Sequence, residues 1–483
     1  MSQTDQPTSP TINPPDRLTI FAFLWACQAL VHQEFYSEWL PAGNPSGWVL
    51  TILAMGVLIS PRSLLLFSTM LFASAVYNII KWPFVVNHIF AETILNLTML
   101  AAIGPIVVFD RVTRKSAPIE LRNRIYDAIA PVLMSMLVVV YYYAVIAKLN
   151  WDFFDPDYSC VVHLYHNLVS RFPFVPTDRW AHITAIWLTV VIELAIPVLL
   201  TFRRTKYLGV IVGMGFHVVM GLIGHRTFSA FAYALYGLFL MGPLSGFISE
   251  VIQRVNIRLH PAKFSQVIAV LRAVAILALG ALIGADWSGH YRSGVGPFVF
   301  YRASWVIWIL WSLTIAGAYI AAMLFHWRSP AKCEYKVRGW PRLLWVVALN
   351  GLSQYVGFKT ETCFTMYSNL RTEGGVNNHL FMPALRMANY QDDLVEILYT
   401  DHCSLRKYQE NGLLITYFEF RRILSRTRQN CTVTFRRNGV VEVFRRQHHQ
   451  HTHPELTQPH PLWLSKLLYF RPVPKGQRMP CQH

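Results

Sequence analysis

Long apolar runs separated by short polar connections fill the first two-thirds of the chain. Runs suited to membrane helices fall near residues 18–33, 47–60, 63–80, 89–109, 128–149, 181–202, 207–224, 229–247, 266–285 and 303–326. A perpendicular crossing takes about 20 residues, so several of these runs, 47–60 above all, are short. The segment 342–357 reads either as an eleventh span or as a helix lying flat in the interface. Beyond residue 358 the pattern changes. Residues 359–375 are polar and turn-rich, and Thr432–Phe444 alternates as two strands joined by Asn438-Gly439, a dipeptide that accepts the positive φ angles of a tight hairpin. The expected fold is mainly α: a polytopic helical membrane protein of about 10–11 spans with a small α+β C-terminal domain. Its expected parts are a disordered polar tail (1–17), a transmembrane domain (18–357), the α+β domain (358–445) and a His/Pro-rich basic tail (446–483).

Composition supports the membrane assignment. Hydrophobic residues make up 53% of the 483 and charged residues only 14%, where soluble domains carry about 25% charged. The net charge of +17 raises nucleic-acid binding, but its distribution points elsewhere. Basic residues concentrate in alternate connections, at Arg111–Arg124, Arg203–Lys206 and Arg254–Lys263. The positive-inside rule makes those connections and the N-terminus cytoplasmic and turns 150–180 outward, so a multi-pass cell-membrane protein is expected and no nucleic-acid partner. If 342–357 spans, the C-terminal domain is outside; if it lies flat, the domain is cytoplasmic. The seven cysteines (27, 160, 333, 363, 403, 431, 481) show no metal-ligand spacing, and most of them read as buried thiols; a disulfide would require an extracytoplasmic location. The histidines at 448, 449, 451, 453 and 460 are too irregular for a defined site, so no metal is expected. Asn96-Leu-Thr98 and Asn430-Cys-Thr432 match the glycosylation pattern by chance, the first inside an expected span.

Four runs carry polar groups: Asn87-His88, Lys148, Glu193 and His217. Desolvation disfavours the charged form of a lysine, which makes Lys148 a candidate base. The alternative is an ammonium snorkelling to the interface beside Trp151, whose loss the fold would tolerate. Asn87 is a candidate site residue or an ordinary helix N-cap. A carboxylate within a span demands a partner or water, so Glu193 is expected to pair with His217 or with the Arg203-Arg204 end. All four groups can open to one outward-facing cavity, with Tyr143 and Trp151 in its wall. Glycines 209, 213, 215, 221 and 224 are read as permitting close helix packing.

Three of these stretches resemble the vitamin K-dependent gamma-carboxylase family and its bacterial relatives, the HTTM (horizontally transferred transmembrane) domain proteins. Asn87-His88 opening an apolar helix is similar to the family's Asn-His element. Tyr143-Ala-Val-Ile-Ala-Lys-Leu-Asn-Trp-Asp152 is similar to the segment bearing the carboxylase's lysine. Phe216–Gly224, followed by Phe228–Tyr233, resembles its Phe-His helix and the segment after it, and Cys363-Phe-Thr-Met-Tyr367 resembles a strand opening its lumenal domain. The resemblance covers about residues 20–360. It implies that Lys148 deprotonates a reduced quinone of vitamin K or menaquinol type, with His88 and Asn87 assisting. Oxygenation then yields a base that removes a glutamate γ-proton, CO2 adds and the quinone epoxide leaves. The chain departs from the carboxylase in keeping only about 100 residues of the lumenal substrate-binding region.

Three functions follow as expectations. One is a quinol-linked membrane enzyme acting on a peptide or lipid. Another is a non-enzymatic factor that binds a lipid or quinone and assists maturation of a secreted peptide. The third is a transporter, which would carry internal repeats; none is visible between 20–180 and 200–330.

Overall fold

The computed structural model describes residues 14–35, 45–114, 116–258, 297–328, 341–447 and 450–482, with isolated helical positions between 266 and 281. Most of the 1–17 tail, most of the run at 266–285, and His448 and His449 lie outside the described residues. The protein is mostly helical. In chain order the helices are α1 (Arg17–Phe35), α2 (Pro45–Ile59), α3 (Leu64–Lys81), α4 (Asn87–Phe109), α5 (Pro118–Lys148), α6 (Trp151–Phe154), α7 (Cys160–Arg171), α8 (Arg179–Thr201), α9 (Lys206–Leu222), α10 (Arg226–Phe239), α11 (Met241–Arg258), α12 (Pro297–Arg328) and α13 (Pro341–Leu352).

Among the described residues, five helical stretches are long and apolar enough to cross a membrane: Leu64–Lys81, Asn87–Thr113, Pro118–Lys148, Arg179–Thr201 and Trp308–Trp327. The expected span at 229–247 is instead two helices, α10 and α11, bent by 85° on either side of Leu240; counted as one, they make a sixth. At 15 and 17 residues, α2 and α9 reach only about 22–26 Å against roughly 30 Å of hydrocarbon. With 12 residues, α13 is too short to be an eleventh span.

The chain divides into two compact units, and the division does not fall at residue 358. One unit comprises Met1–Tyr77, Leu95–Met134 and Leu199–Trp340; the other comprises Asn78–Ile94, Ser135–Val198 and Pro341–His483. In the first, α1 packs on α2 and α10, α10 on α9, and α11 on α12. Small residues let these helices approach. A Cβ on Gly213 would lie 2.3 Å from the Tyr236 hydroxyl, and one on Gly221 would lie 1.9 Å from the Trp308 ring. Asn96, inside the chance glycosylation match, is fully buried; its carbonyl accepts from Trp25 Nε1 at 2.9 Å and its amide donates to Ser74 Oγ at 2.9 Å.

The second unit joins the last turn of α3, the start of α4, the end of α5 and most of α8 to the C-terminal domain. That domain holds β1 (Leu394–Thr400), α14 (Cys403–Glu410), β2 (Leu413–Thr416), α15 (Tyr417–Arg426), β3 (Cys431–Arg437), β4 (Val440–Gln447), β5 (Gln450–His451), α16 (Pro454–Thr457), α17 (Leu462–Leu467) and β6 (Val473–Pro474). The sheet is antiparallel, in order β5-β4-β3-β1-β2-β6. The expected hairpin is β3–β4, turning at Asn438 and Gly439 with φ of 50° and 80°. Val395, Ile397, Ile415, Val433, Phe435 and Phe444 alternate onto one buried face.

Two expectations are corrected here. Residues 446–483 are not a polar tail: β6 pairs with β2, and Leu456, Phe470, Val473 and Met479 are buried. Cys160 and Cys481 are not free thiols but form a disulfide across 321 residues of sequence.

Candidate functional site

Lys148 closes α5, and its side chain does not snorkel. It is 3% exposed, its Nζ lies 2.8 Å from Glu193 Oε2, and it donates to Ala144 O at 3.3 Å. The Glu193 side chain is 11% exposed and reaches the pair from α8. Lysine is thus the carboxylate's partner, in place of His217 or the Arg203-Arg204 end. The expectation that Lys148 could be removed without structural cost is overturned by the same contact, because removal would leave a carboxylate buried and uncompensated.

The chain just beyond Lys148 is fixed by asparagines. Asn150 accepts from Phe153 N–H at 2.9 Å, capping α6, and its amide donates to Ala147 O at 2.8 Å and Ser368 O at 2.5 Å. Asp152 is 1% exposed and gathers Asn378 Nδ2 at 2.7 Å, Arg478 Nη1 at 2.8 Å and Met479 N–H at 3.0 Å. The Cys160–Cys481 disulfide fastens the same C-terminal segment. On the other side, His379 Nε2 lies 2.8 Å from Ile146 O while its Nδ1 accepts from Phe381 and Met382 N–H. These bonds fix its tautomer, with Nε2 the donor, and commit both ring nitrogens to holding the loop. Burial pulls its pKa below the usual histidine value.

Asn87 is not an N-cap of its own helix. It is buried, and its Oδ1 accepts Phe364 N–H at 2.7 Å, tying α4 to the segment 359–379. His88 follows it, half-buried. The segment they hold has an irregular backbone: Thr362, Phe364, Tyr367 and Asn369 all carry positive φ, between 50° and 66°. Side chains without glycine's freedom hold such angles only where their surroundings fix them. Lys359, at the head of this segment, is 5% exposed, bonds Thr362 Oγ1 at 3.2 Å and lies over the Phe90 ring at 4.3 Å. Burial lowers its pKa to about 8. Arg471 and Glu373 form another buried pair at 2.9 Å.

The remaining expected residues divide. Tyr143 packs against α13: a Cβ on Gly351 would meet its ring at 2.4 Å. Ala147, Tyr355 and Leu370 cluster nearby with Ile146 and Met382. Trp151 is 65% exposed and belongs to the surface. His217 belongs to the first unit, where it is fully buried among Phe216, Phe228, Tyr233 and Tyr236. Lys148 and Glu193 are therefore the expected site residues brought into direct contact. Asn150, Lys359, Asn378 and His379 were missed. Asn-rich, turn-forming composition marked their segment only as a loop, and no spacing pointed to α5.

No protein-family model, no curated protein and no solved structure matches the chain.

Proposed function

We propose that the chain is a multi-pass membrane protein that binds a reduced quinone, or a lipid of similar build, at the end of α5 and uses Lys148 as the proton acceptor. A single observation carries this reading: a lysine and a carboxylate from two apolar helices meet at 2.8 Å, both shielded from solvent. Apolar helices retain such groups at a cost, and function is the usual reason. The surroundings fit a quinol in kind. Tyr143, Tyr355, Ile146, Leu370 and Met382 form an aromatic and apolar cluster at the same end of α5. In the Lys148–Glu193 pair the lysine's own proton would pass to the carboxylate, leaving a neutral amine to accept the phenolic one. When bound, the quinol supplies the oxidisable ring. Glu193 orients the lysine Nζ, and Asn150 and His379 hold the turn that carries it.

The same unit supports an outward orientation for this end. The end of α3, the start of α4, the end of α5 and the start of α8 all belong to it, while the basic connections lie at the opposite helix ends. The positive-inside rule turns this end outward, and a disulfide between Cys160 and Cys481 suits that compartment. On this reading the C-terminal domain faces outward with the helix ends to which it is bonded. A second reading, a non-enzymatic factor that binds the same ligand, gains from one observation. Asn87, expected to assist chemistry, commits its carbonyl to Phe364 N–H.

Solvent extraction of the purified protein tests the binding claim. A quinone near one per chain is expected, absent from the Lys148→Met/Glu193→Leu variant. Phospholipid alone from both would overturn it.

A further inference from the structure

Two apolar patches on the C-terminal domain are covered by nothing among the described residues, and both are bolted to the ends of apolar spans. The first is α17. Its Leu464 packs inward with Phe418, Leu468 and Phe470, whereas Leu462, Trp463 and Leu467 stand 75%, 65% and 46% exposed. Lys466, on the same short helix, donates to Ile79 O at 3.1 Å and Ile80 O at 2.6 Å. Those are last-turn carbonyls of α3, and Ile79 O also accepts Trp82 N–H at 3.2 Å. The ammonium thus pins α17 to the level at which α3 ends. Phe84, 51% exposed, continues the patch beside α3, packed edge-on to Tyr469 at 5.1 Å and beneath the Arg426 guanidinium at 5.7 Å.

The second patch lies at the end of α5. Phe381, Leu385 and Met387 are 63%, 58% and 74% exposed, next to Trp151. They are not the tip of a loose loop. Leu380 N–H bonds Leu149 O at 3.0 Å, Trp151 N–H bonds Asn378 O at 3.1 Å, and His379 clamps Phe381 and Met382 from below. The backbone that presents these side chains is fastened to the turn immediately after Lys148.

Large aromatic and aliphatic side chains held rigidly outward at the ends of spanning helices, with Arg426 and Arg428 exposed nearby, have the composition of a membrane-interface surface. We propose that the C-terminal domain is seated in the lipid interface, with Leu462, Trp463 and Leu467 and, separately, Phe381, Leu385 and Met387 inserted at the headgroup–acyl boundary. The occupant of both patches is lipid of the bilayer that α3 and α5 cross. This rests on the reading of those helices as membrane spans. The consequence is that the turn bearing Lys148 sits at the boundary between headgroups and hydrocarbon.

Nitroxide labels on the full-length protein in lipid nanodiscs test it, in a Cys403→Ser background because Cys403 is an exposed free cysteine. Labels at Trp463→Cys and Met387→Cys should collide with oxygen several-fold more readily than with a water-soluble nickel chelate, as should Phe72→Cys on the exposed face of α3. A label at Lys407→Cys, exposed on α14, should show the opposite order. If 463 and 387 behave like 407 while 72 remains lipid-like, the proposal fails and the membrane reading stands. If 72 is also aqueous, the membrane reading itself fails. Dipolar broadening between labels at 463 would reveal a second copy on the patch and overturn lipid as the occupant.

Discussion

Replacing Lys148 with methionine should be among the most destabilising single changes in the second unit. Methionine matches lysine's length, so packing is little altered, but the Glu193 carboxylate is left 11% exposed among apolar helices with its partner at 2.8 Å removed. Breaking a buried pair from one side costs about 3–5 kcal/mol, which is about two to four powers of ten in the unfolding constant. Solvent screening gives no relief, since neither side chain exceeds about a tenth exposure. Removing both charges is different. Lys148→Met/Glu193→Leu dispenses with two desolvation penalties and should recover most of the loss, giving a coupling energy of about 3 kcal/mol in a double-mutant cycle. Reversible unfolding in mixed detergent micelles, followed by tryptophan fluorescence, measures all four corners. A Lys148→Met cost below about 1 kcal/mol, unchanged by adding Glu193→Leu, would mean that the lysine reaches water as a snorkelling anchor does, and the reasoning would fail.

Other expectations follow from neighbouring groups. Lys359 releases its proton near pH 8 when folded but near 10.5 when unfolded, so between these values the unfolded chain holds the extra proton and stability rises with pH. Lys359→Met should therefore stabilise the fold by up to about 3 kcal/mol at pH 7, with the difference vanishing by pH 10.5; a pH-independent difference in unfolding midpoints would contradict this. Asn87→Ala leaves the Phe364 N–H without its acceptor and should cost about 1–3 kcal/mol in the same unfolding assay, whereas a neutral effect would return Asn87 to the role of a replaceable cap. Membrane-impermeant thiol reagents on intact cells should label cysteines introduced at His163 or Arg171 and spare one at Arg111; the reverse pattern inverts the topology.

The helices were legible because an apolar run has few other ways to satisfy its backbone inside a membrane. Their breaks were less so. The bend after Phe239 falls just before Met241-Gly-Pro243, and a proline in the first turn of a helix is a start signal that an unbroken apolar run conceals. The β3–β4 hairpin was read from Asn438-Gly439 because that turn's chemistry is local. The C-terminal strands and helices of 450–474 were not, since three histidines and several prolines dilute the spacing of Leu456, Leu468, Phe470 and Val473. The site shows the same division. That Lys148 and Glu193 needed partners could be argued from each residue's own surroundings. That they partner each other depends on how α5 and α8 pack. Likewise, Asn87 looked like a cap because capping is the commonest local use of asparagine, and its bond to Phe364 spans 277 residues of chain. Long-range hydrogen bonds of this kind leave no periodic trace.

The central claim is that the Lys148–Glu193 pair takes a proton from a bound quinol, and turnover tests it most directly. The purified protein, supplied with a reduced menaquinone-type substrate in oxygenated buffer, should oxidise it, and Lys148→Met/Glu193→Leu, folded by the criterion above, should lose about 10²–10⁴ of the rate. Lys148→Arg preserves the pair's charge but cannot give up its proton, so it should remain folded and fail equally. Full activity in Lys148→Arg, or in the charge-free double variant, would contradict the account.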